Sequence, residues 1–142
     1  MAVLIGLDYG EKTVGVALSD IEEHYARPVE TVRRETGNHL RKTCARIQEI
    51  IKENNVEKIV VGLPLNMDGS RGERAEAAAS FADMIMRRTG LEVVLVDERL
   101  TSVEAQEYIK TNYSGKEAAE RIKKDIDNVA AAIILQDYLN SR

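Results

Sequence analysis

Apolar residues recur along this chain with two different periods, and the change of period divides it. Val3 to Asp8 is a short apolar run with β-branched members, closed by a polar residue and Gly10. Such a run predicts a buried strand. Thr13 to Leu18 predicts a second strand after a turn at Tyr9 to Lys12, and His24 to Val32 a third. Pro28 assigns that third strand to a sheet edge, because proline cannot donate to a ladder. The opening therefore reads as an antiparallel meander of three strands.

Beyond it the period becomes helical. Asn38 can cap a helix running to about Asn54, with an apolar stripe at Leu40, Cys44, Ile47 and Ile51. Lys58 to Gly62 predicts a buried strand, and Leu63 to Gly72 a loop rich in Pro, Asn, Asp and Gly. A helix follows to about Thr89, striped by Ala75, Ala78, Ala79, Ala82, Ile85 and Met86. Glu92 to Asp97 predicts the last strand. Thr101 and Glu104 have capping-box spacing, which starts a helix to about Thr111. A loop at Tyr113 to Lys116 and a short charged helix come next. The run VAAAIIL after Asp127 is apolar on nearly all sides and predicts a buried closing helix.

The order is β-β-β-α-β-α-β-α, an α/β class. Crossover helices imply a parallel portion, the meander supplies the antiparallel edge, and helices cover both faces of one mixed sheet. At 142 residues the chain, 1–142, is one domain by length.

Composition narrows the chemistry. With no Trp and only Phe81 as phenylalanine, the core must be aliphatic. The single cysteine, Cys44, falls on an apolar helix face, so a disulfide within the chain or a cysteine-rich zinc site is excluded and an inert buried thiol is expected. The start MAVLIGLDYG lacks a basic leader, and no apolar stretch approaches the roughly 20 residues of a membrane helix. A cytoplasmic protein with no membrane partner is the expectation. Lys and Arg number 20 against 24 Asp and Glu, a net charge of −4. That argues mildly against a nucleic-acid partner, but phosphate binding needs only a local basic surface.

Three carboxylates stand out by position. Asp8 ends an otherwise apolar strand, Asp97 and Glu98 end another, and Asp127 opens the closing helix. Sites in such sheets gather outside the carboxyl ends of parallel strands, so Asp8 and Glu98 should converge, with Asp127 brought beside them by the last helix. Clustered carboxylates repel unless a cation neutralises them. Oxygen ligands without Cys or His suit Mg²⁺ or Mn²⁺, and a pair of such ions can activate water against a phosphodiester. Each residue also has a plainer reading: Asp8 as a turn residue, Glu98 as the surface partner of Arg99 or Lys12, Asp127 as a helix cap.

The loop Gly62 to Ala75 is the second signal. Its glycines flank Ser70 and Arg71 ahead of a helix N-terminus, and exposed amides with Arg71 and Arg74 suit a phosphate. Basic residues also gather at Arg33, Arg34, Arg41, Lys42 and Arg46, and at Arg121, Lys123 and Lys124, either as contacts or as solvated faces. His24 and His39 sit in polar surroundings without a partner motif. Ser19 and Ser102 lack a histidine placed to activate them, which argues against a Ser-His-Asp triad.

Four blocks in order, GLDYGEKTVGVALSD at Gly6 to Asp20, GLPLNMDGSRGERA at Gly62 to Ala75, DERLTS at Asp97 to Ser102 and IDNVAAAIILQDYL at Ile126 to Leu139, resemble the YqgF family, also called RuvX. Its members are described as Holliday junction resolvases and as nucleases of precursor small-subunit ribosomal RNA. The resemblance implies an RNase H-like fold and an acidic metal site, carried here by Asp8, Glu98 and Asp127. The chain departs from the pattern at Thr13, where the family often has a basic residue, and at Lys123 and Lys124, where it commonly has a histidine-lysine pair.

The expectation is a Mg²⁺- or Mn²⁺-dependent nuclease. Asp8, Glu98 and Asp127 hold metal, and Arg71, Arg74, Arg99 and Lys12 position the backbone of precursor rRNA or branched DNA. The partners expected are nucleic acid and a ribosomal particle, with the chain a monomer or homodimer. The alternative is a nucleic-acid-binding or ribosome-assembly factor that does not cleave.

Overall fold

A computed structural model describes residues 2–33, 40–98 and 126–142, with side chains from 129 onward in the last stretch. Five strands and three helices are described: β1 (Val3–Tyr9), β2 (Thr13–Ser19), β3 (Ala26–Arg33), α1 (Leu40–Glu53), β4 (Val56–Leu63), α2 (Glu73–Thr89), β5 (Glu92–Asp97) and α3 (Ile126–Asn140). The expected Asn38 cap and the elements expected between Thr101 and Lys124 lie outside the described residues.

The sheet order is β3-β2-β1-β4-β5. β1 pairs antiparallel with β2 and parallel with β4, and β4 runs parallel to β5. β1, β4 and β5 therefore all end at one edge of the sheet. β3 is an outer strand, as Pro28 requires. Its register slips where Glu30 faces Val16 and Pro28 faces Ala17, so Val29 is bulged and exposed. Proline and a bulge both blunt an open strand against further pairing.

β3 begins at Ala26 rather than at His24. Asp20 is the reason: its Oδ1 accepts the backbone N–H groups of His24 and Tyr25, each at 2.8 Å, and holds them in the turn after β2. These hydrogen bonds keep the Asp20 carboxyl below the usual carboxylate range against the opposing effect of partial desolvation.

Period-two alternation sorts the strand residues onto two faces. Ile5, Leu7, Val14, Val16, Ile59 and Val61 pack with Cys44, Ile47 and Ile50 of α1 and Phe81, Ala82 and Ile85 of α2. Cys44 is buried, with its thiol 3.7 Å from the Met84 sulfur, and burial pushes its pKa up. Such a thiol is inert, as its helix face predicts. Leu4, Ala17 and Val60 on the opposite face pack with Ala131, Ala132, Ile134, Leu135 and Leu139 of α3. Helices thus cover both faces.

The seat of α3 is set by a glycine and by polar ties. A Cβ on Gly6 would lie 2.8 Å from Leu135 Cβ and 2.9 Å from the Ala131 carbonyl oxygen. The buried Gln136 accepts the Ala26 N–H at 2.8 Å and donates to the His24 carbonyl at 3.0 Å and to Asn140 Oδ1 at 3.0 Å. Lys58 Nζ donates to the Tyr138 hydroxyl at 3.2 Å, and Arg142 pairs with Glu23 at 2.6 Å. All these ties join the C-terminal half of α3 to the edge where β1 and β4 begin. Its N-terminus therefore points to the edge where they end.

Gly6→Ala should destabilise the protein by about 1–3 kcal/mol, since the clash includes a backbone carbonyl that cannot rotate away. Urea unfolding measures it. Unchanged stability would mean that α3 does not sit this close to β1.

Candidate active site

Asp8 is the next-to-last residue of β1, and Glu98 follows β5 directly. By alternation Asp8 shares the α3 face with Leu4 and Gly6, and Glu98 shares it with Val96. The two carboxyls meet there: a side-chain hydrogen bond joins Asp8 and Glu98. Both residues are half-buried. The convergence expected from the strand ends is what the structure contains.

Gly62 of β4 makes the meeting possible. A Cβ at this position would collide with Glu98 Oε1 and would stand 2.5 Å from Ile134 Cδ1. The Glu98 carboxylate therefore lies across a bare stretch of backbone, roofed by α3. Sequence reasoning places Gly62 at the end of a strand and the head of the following loop, and gives it no role beside Glu98. The signal that finds its role is a glycine inside an otherwise β-branched run, which marks close approach by another group.

Burial pushes the Glu98 pKa up, and the nearby Asp97 charge adds to the rise. The hydrogen bond from Asp8 and the Arg74 guanidinium oppose it without reversing it. A carboxyl that shares a hydrogen bond with another carboxyl and resists ionisation is one half of a site that favours a proton or a cation.

Arg74 is exposed in the first turn of α2 and acts electrostatically on Glu98. Arg71 is exposed just before that helix, with Nη1 3.9 Å from Glu76 Oε1. Lys12 is exposed in the turn between β1 and β2, at the same sheet edge. Asp127 is the second residue of α3, one helical turn before the Ala131 that sits over Gly6. The helix backbone thus enters at the edge that holds Asp8 and Glu98. Arg99 lies outside the described residues, as do Arg34, His39, Ser102, Arg121, Lys123 and Lys124.

Two expectations change. The loop between β4 and α2 does not offer all its amides to a phosphate: Asn66 N–H bonds the Ser70 carbonyl at 2.9 Å, Gly69 N–H the Asn66 carbonyl at 2.9 Å, and Ser70 N–H the Asp68 carboxylate at 2.9 Å. A short turn rich in Asp and Asn satisfies its own backbone in this way. The basic group around α1 is also not all free surface. Arg46 is held by Glu30 at 2.7 Å and Glu49 at 2.9 Å, and this pairing depresses the Glu30 pKa.

A second acidic group, Asp20, Glu22 and His24, has ligand atoms within 4.8 Å of one another. It lies after the end of β2, at the edge opposite Asp8, and its Asp20 already caps the turn.

A mixed sheet in the order 3-2-1-4-5, with acids at the ends of β1 and β5 and a helix laid over them, is an RNase H-like domain. T. thermophilus RuvC, solved in complex with a Holliday junction substrate, shares that fold, with a TM-score of 0.61 at 14% identity over 100% of this chain and 96% of that one. The chain belongs to the RuvX family, described as "Holliday junction resolvase", which matches residues 2–141. A relative from Lachnospira eligens named "Putative pre-16S rRNA nuclease" is 50% identical over 139 residues, 98% of this chain and 97% of its own length. A relative of the same name from Agathobacter rectalis is 48% identical over 137 residues, 96% of this chain and 94% of its own.

The raised Glu98 pKa fixes a pH dependence. A carboxyl with a folded pKa above its unfolded one contributes stability that is present below the unfolded value, about 4.3, and lost as pH rises through the folded value. In metal-free protein Glu98→Gln should therefore gain stability relative to wild type as pH rises from about 4 to neutrality. Parallel thermal melts at both pH values test this. A constant difference between the two proteins would mean that Glu98 is not held in a desolvated site.

Proposed function

We propose that this chain is a divalent-metal-dependent nuclease that hydrolyses nucleic-acid phosphodiesters, with precursor 16S rRNA as its substrate. The carrying observation is the hydrogen-bonded Asp8–Glu98 pair, laid across Gly62 at the ends of the parallel strands. The names of the relatives that match nearly its whole length favour precursor rRNA. The family description supports a four-way DNA junction as the competing substrate.

The donor set fits Mg²⁺ or Mn²⁺: hard carboxylate oxygens from Asp8 and Glu98, to which this reading adds Asp127. When bound, such an ion polarises a phosphoryl oxygen and lowers the pKa of water. The residues do the rest. Asp8 and Glu98 would hold the cation as carboxylates, so any proton kept in their hydrogen bond would be released on binding. Arg74 and Arg71 take phosphate oxygens at the mouth of the site, with Lys12 at the same edge, and fix the register of the backbone; this reading adds Arg99 as a further phosphate contact. Gly62 lets the Glu98 carboxylate lie on the sheet surface beside Asp8.

The reading carries a cytoplasmic location, at ribosome assembly. Among the described residues no helix is long and apolar enough to cross a membrane. A resolvase making paired cuts needs a symmetric dimer. The blunted β3 edge does not provide one by strand pairing, and this reading takes the chain as a monomer on RNA.

Purified protein offered labelled precursor 16S rRNA and four-way junctions with Mg²⁺ or Mn²⁺ should cut the RNA. Asp8→Asn should lose at least about a hundredfold in rate, since removing even an indirect metal contact costs 10–100-fold. The variant should still melt cooperatively. Full activity in Asp8→Asn would overturn the site. Tight RNA binding by wild type with no cleavage in either metal would replace this reading with that of an assembly factor.

A further inference from the structure

Among the described residues the most exposed large apolar side chain is Met67, 92% accessible. One exposed methionine is ordinary; the way this one is mounted is not. It stands at the tip of the turn between β4 and α2, and that turn is braced from within. Besides the three backbone ties above, Asn66 Nδ2 donates to Ser70 Oγ at 3.0 Å, and Ser70 Oγ donates to Asp68 Oδ1 at 2.6 Å. Gly69 takes a φ of 89°, where a side chain would be strained. A Cβ on Gly72 would press on Asn66 at 3.2 Å. The root is packed too, with Leu63 and Leu65 against Tyr9, Ala75 and Ala78. The tip is therefore presented on a fixed platform and does not fold back to bury its thioether.

Both ends of this turn reach the candidate active site. Gly62, before it, lies under the Glu98 carboxylate, and Arg74, after it, acts on the same carboxylate. Met67 is five residues from Gly62, so it stands within about 17 Å of it even if the chain were fully extended. The exposed guanidinium groups of Arg71 and Arg74 complement a phosphate backbone, and the strand that brings one brings bases with it. Unbranched and polarisable, methionine adapts to a flat aromatic face and serves as an apolar wedge between bases.

We propose that Met67 is a substrate-positioning residue that packs against an unstacked nucleobase beside the scissile phosphate while Arg71 and Arg74 hold the backbone. This inference rests on the nuclease reading above and adds to it a contact with a base. The nucleobase can belong to an unpaired segment of RNA or to the open centre of a branched DNA; the chemistry is the same.

Wild type, Met67→Ala and Met67→Leu would be assayed on precursor 16S rRNA and on a four-way DNA junction, each with 2-aminopurine placed in turn at its unpaired or junction positions. Met67→Ala should raise KM roughly tenfold with kcat within about threefold, and Met67→Leu should stay close to wild type. The emission change that wild type produces at one position should vanish in Met67→Ala and return in Met67→Leu. The nucleic acid that shows it identifies the source of the base. All three proteins should melt alike, because the side chain is in solvent.

A wild-type KM and an unchanged emission response in Met67→Ala would overturn the proposal and leave the nuclease reading intact, giving the exposed thioether to a protein partner. Binding without cleavage by wild type would fail the nuclease reading, and the emission response would still decide Met67. No binding to either nucleic acid would overturn both.

Discussion

The contact on which the rest of this structure depends is the seat of α3 on Gly6. Only a glycine lets the helix come so near β1 that its own backbone carbonyl and the Leu135 Cβ bound the space. Gln136, Tyr138 and Arg142 then fix the far half of the helix through polar ties to Ala26, His24, Lys58 and Glu23. With one end fixed and the middle pressed on the sheet, the direction of the other end is no longer free. It must come down at the edge where β1, β4 and β5 finish. Where the N-terminus of α3 falls is thus set by packing and polar ties along the rest of the helix.

Gly62 does for a side chain what Gly6 does for a helix. By leaving bare backbone it lets the Glu98 carboxylate lie flat on the sheet under α3 instead of turning out to water. The cost is an acid that resists ionisation next to a second acid. A protein selected for stability alone would place apolar residues there, as it does one layer deeper at Val60 and Leu4. Local rules broken by burial and like charge, in a chain otherwise consistent with its fold, mark the part of the molecule kept for function.

Much of this is legible in the sequence because it depends on local periodicity. The strands, the edge position of Pro28, the buried closing helix and the mixed sheet follow from where apolar residues recur. Asp8 and Glu98 are legible for the same reason: they interrupt apolar runs at strand ends, and β-sheet topology converts two ends into one place. The misses have a common cause in polar side chains whose choice of partner leaves no mark on the hydrophobic period. Asp20 delays the start of β3 by taking two amides, and Arg46 leaves the basic surface by pairing with Glu30 across to another element. The loop after β4 reads as a phosphate contact through exposed amides with Arg71 and Arg74, and at its tip Asn66, Asp68 and Ser70 satisfy one another. Composition shows which groups are available; only the fold shows which are already taken.

That distinction bears on how an acidic chain can hold a polyanion. A net charge of −4 is a sum over groups that are not equally available. Arg46, Arg87 and Arg142 are matched to acids beside them and contribute little field beyond those pairs. Arg74 is different, because the charge it faces is the site itself. Without a cation, part of the Arg74 charge is spent on Glu98. On the proposed reading, a divalent cation among those carboxylates removes the need for that compensation and turns Arg74 toward substrate. Metal and nucleic acid would then bind with positive coupling, each raising the affinity for the other by the same factor. A basic surface over the whole protein is unnecessary when one arginine and one cation decide the sign of the field where the phosphate must sit.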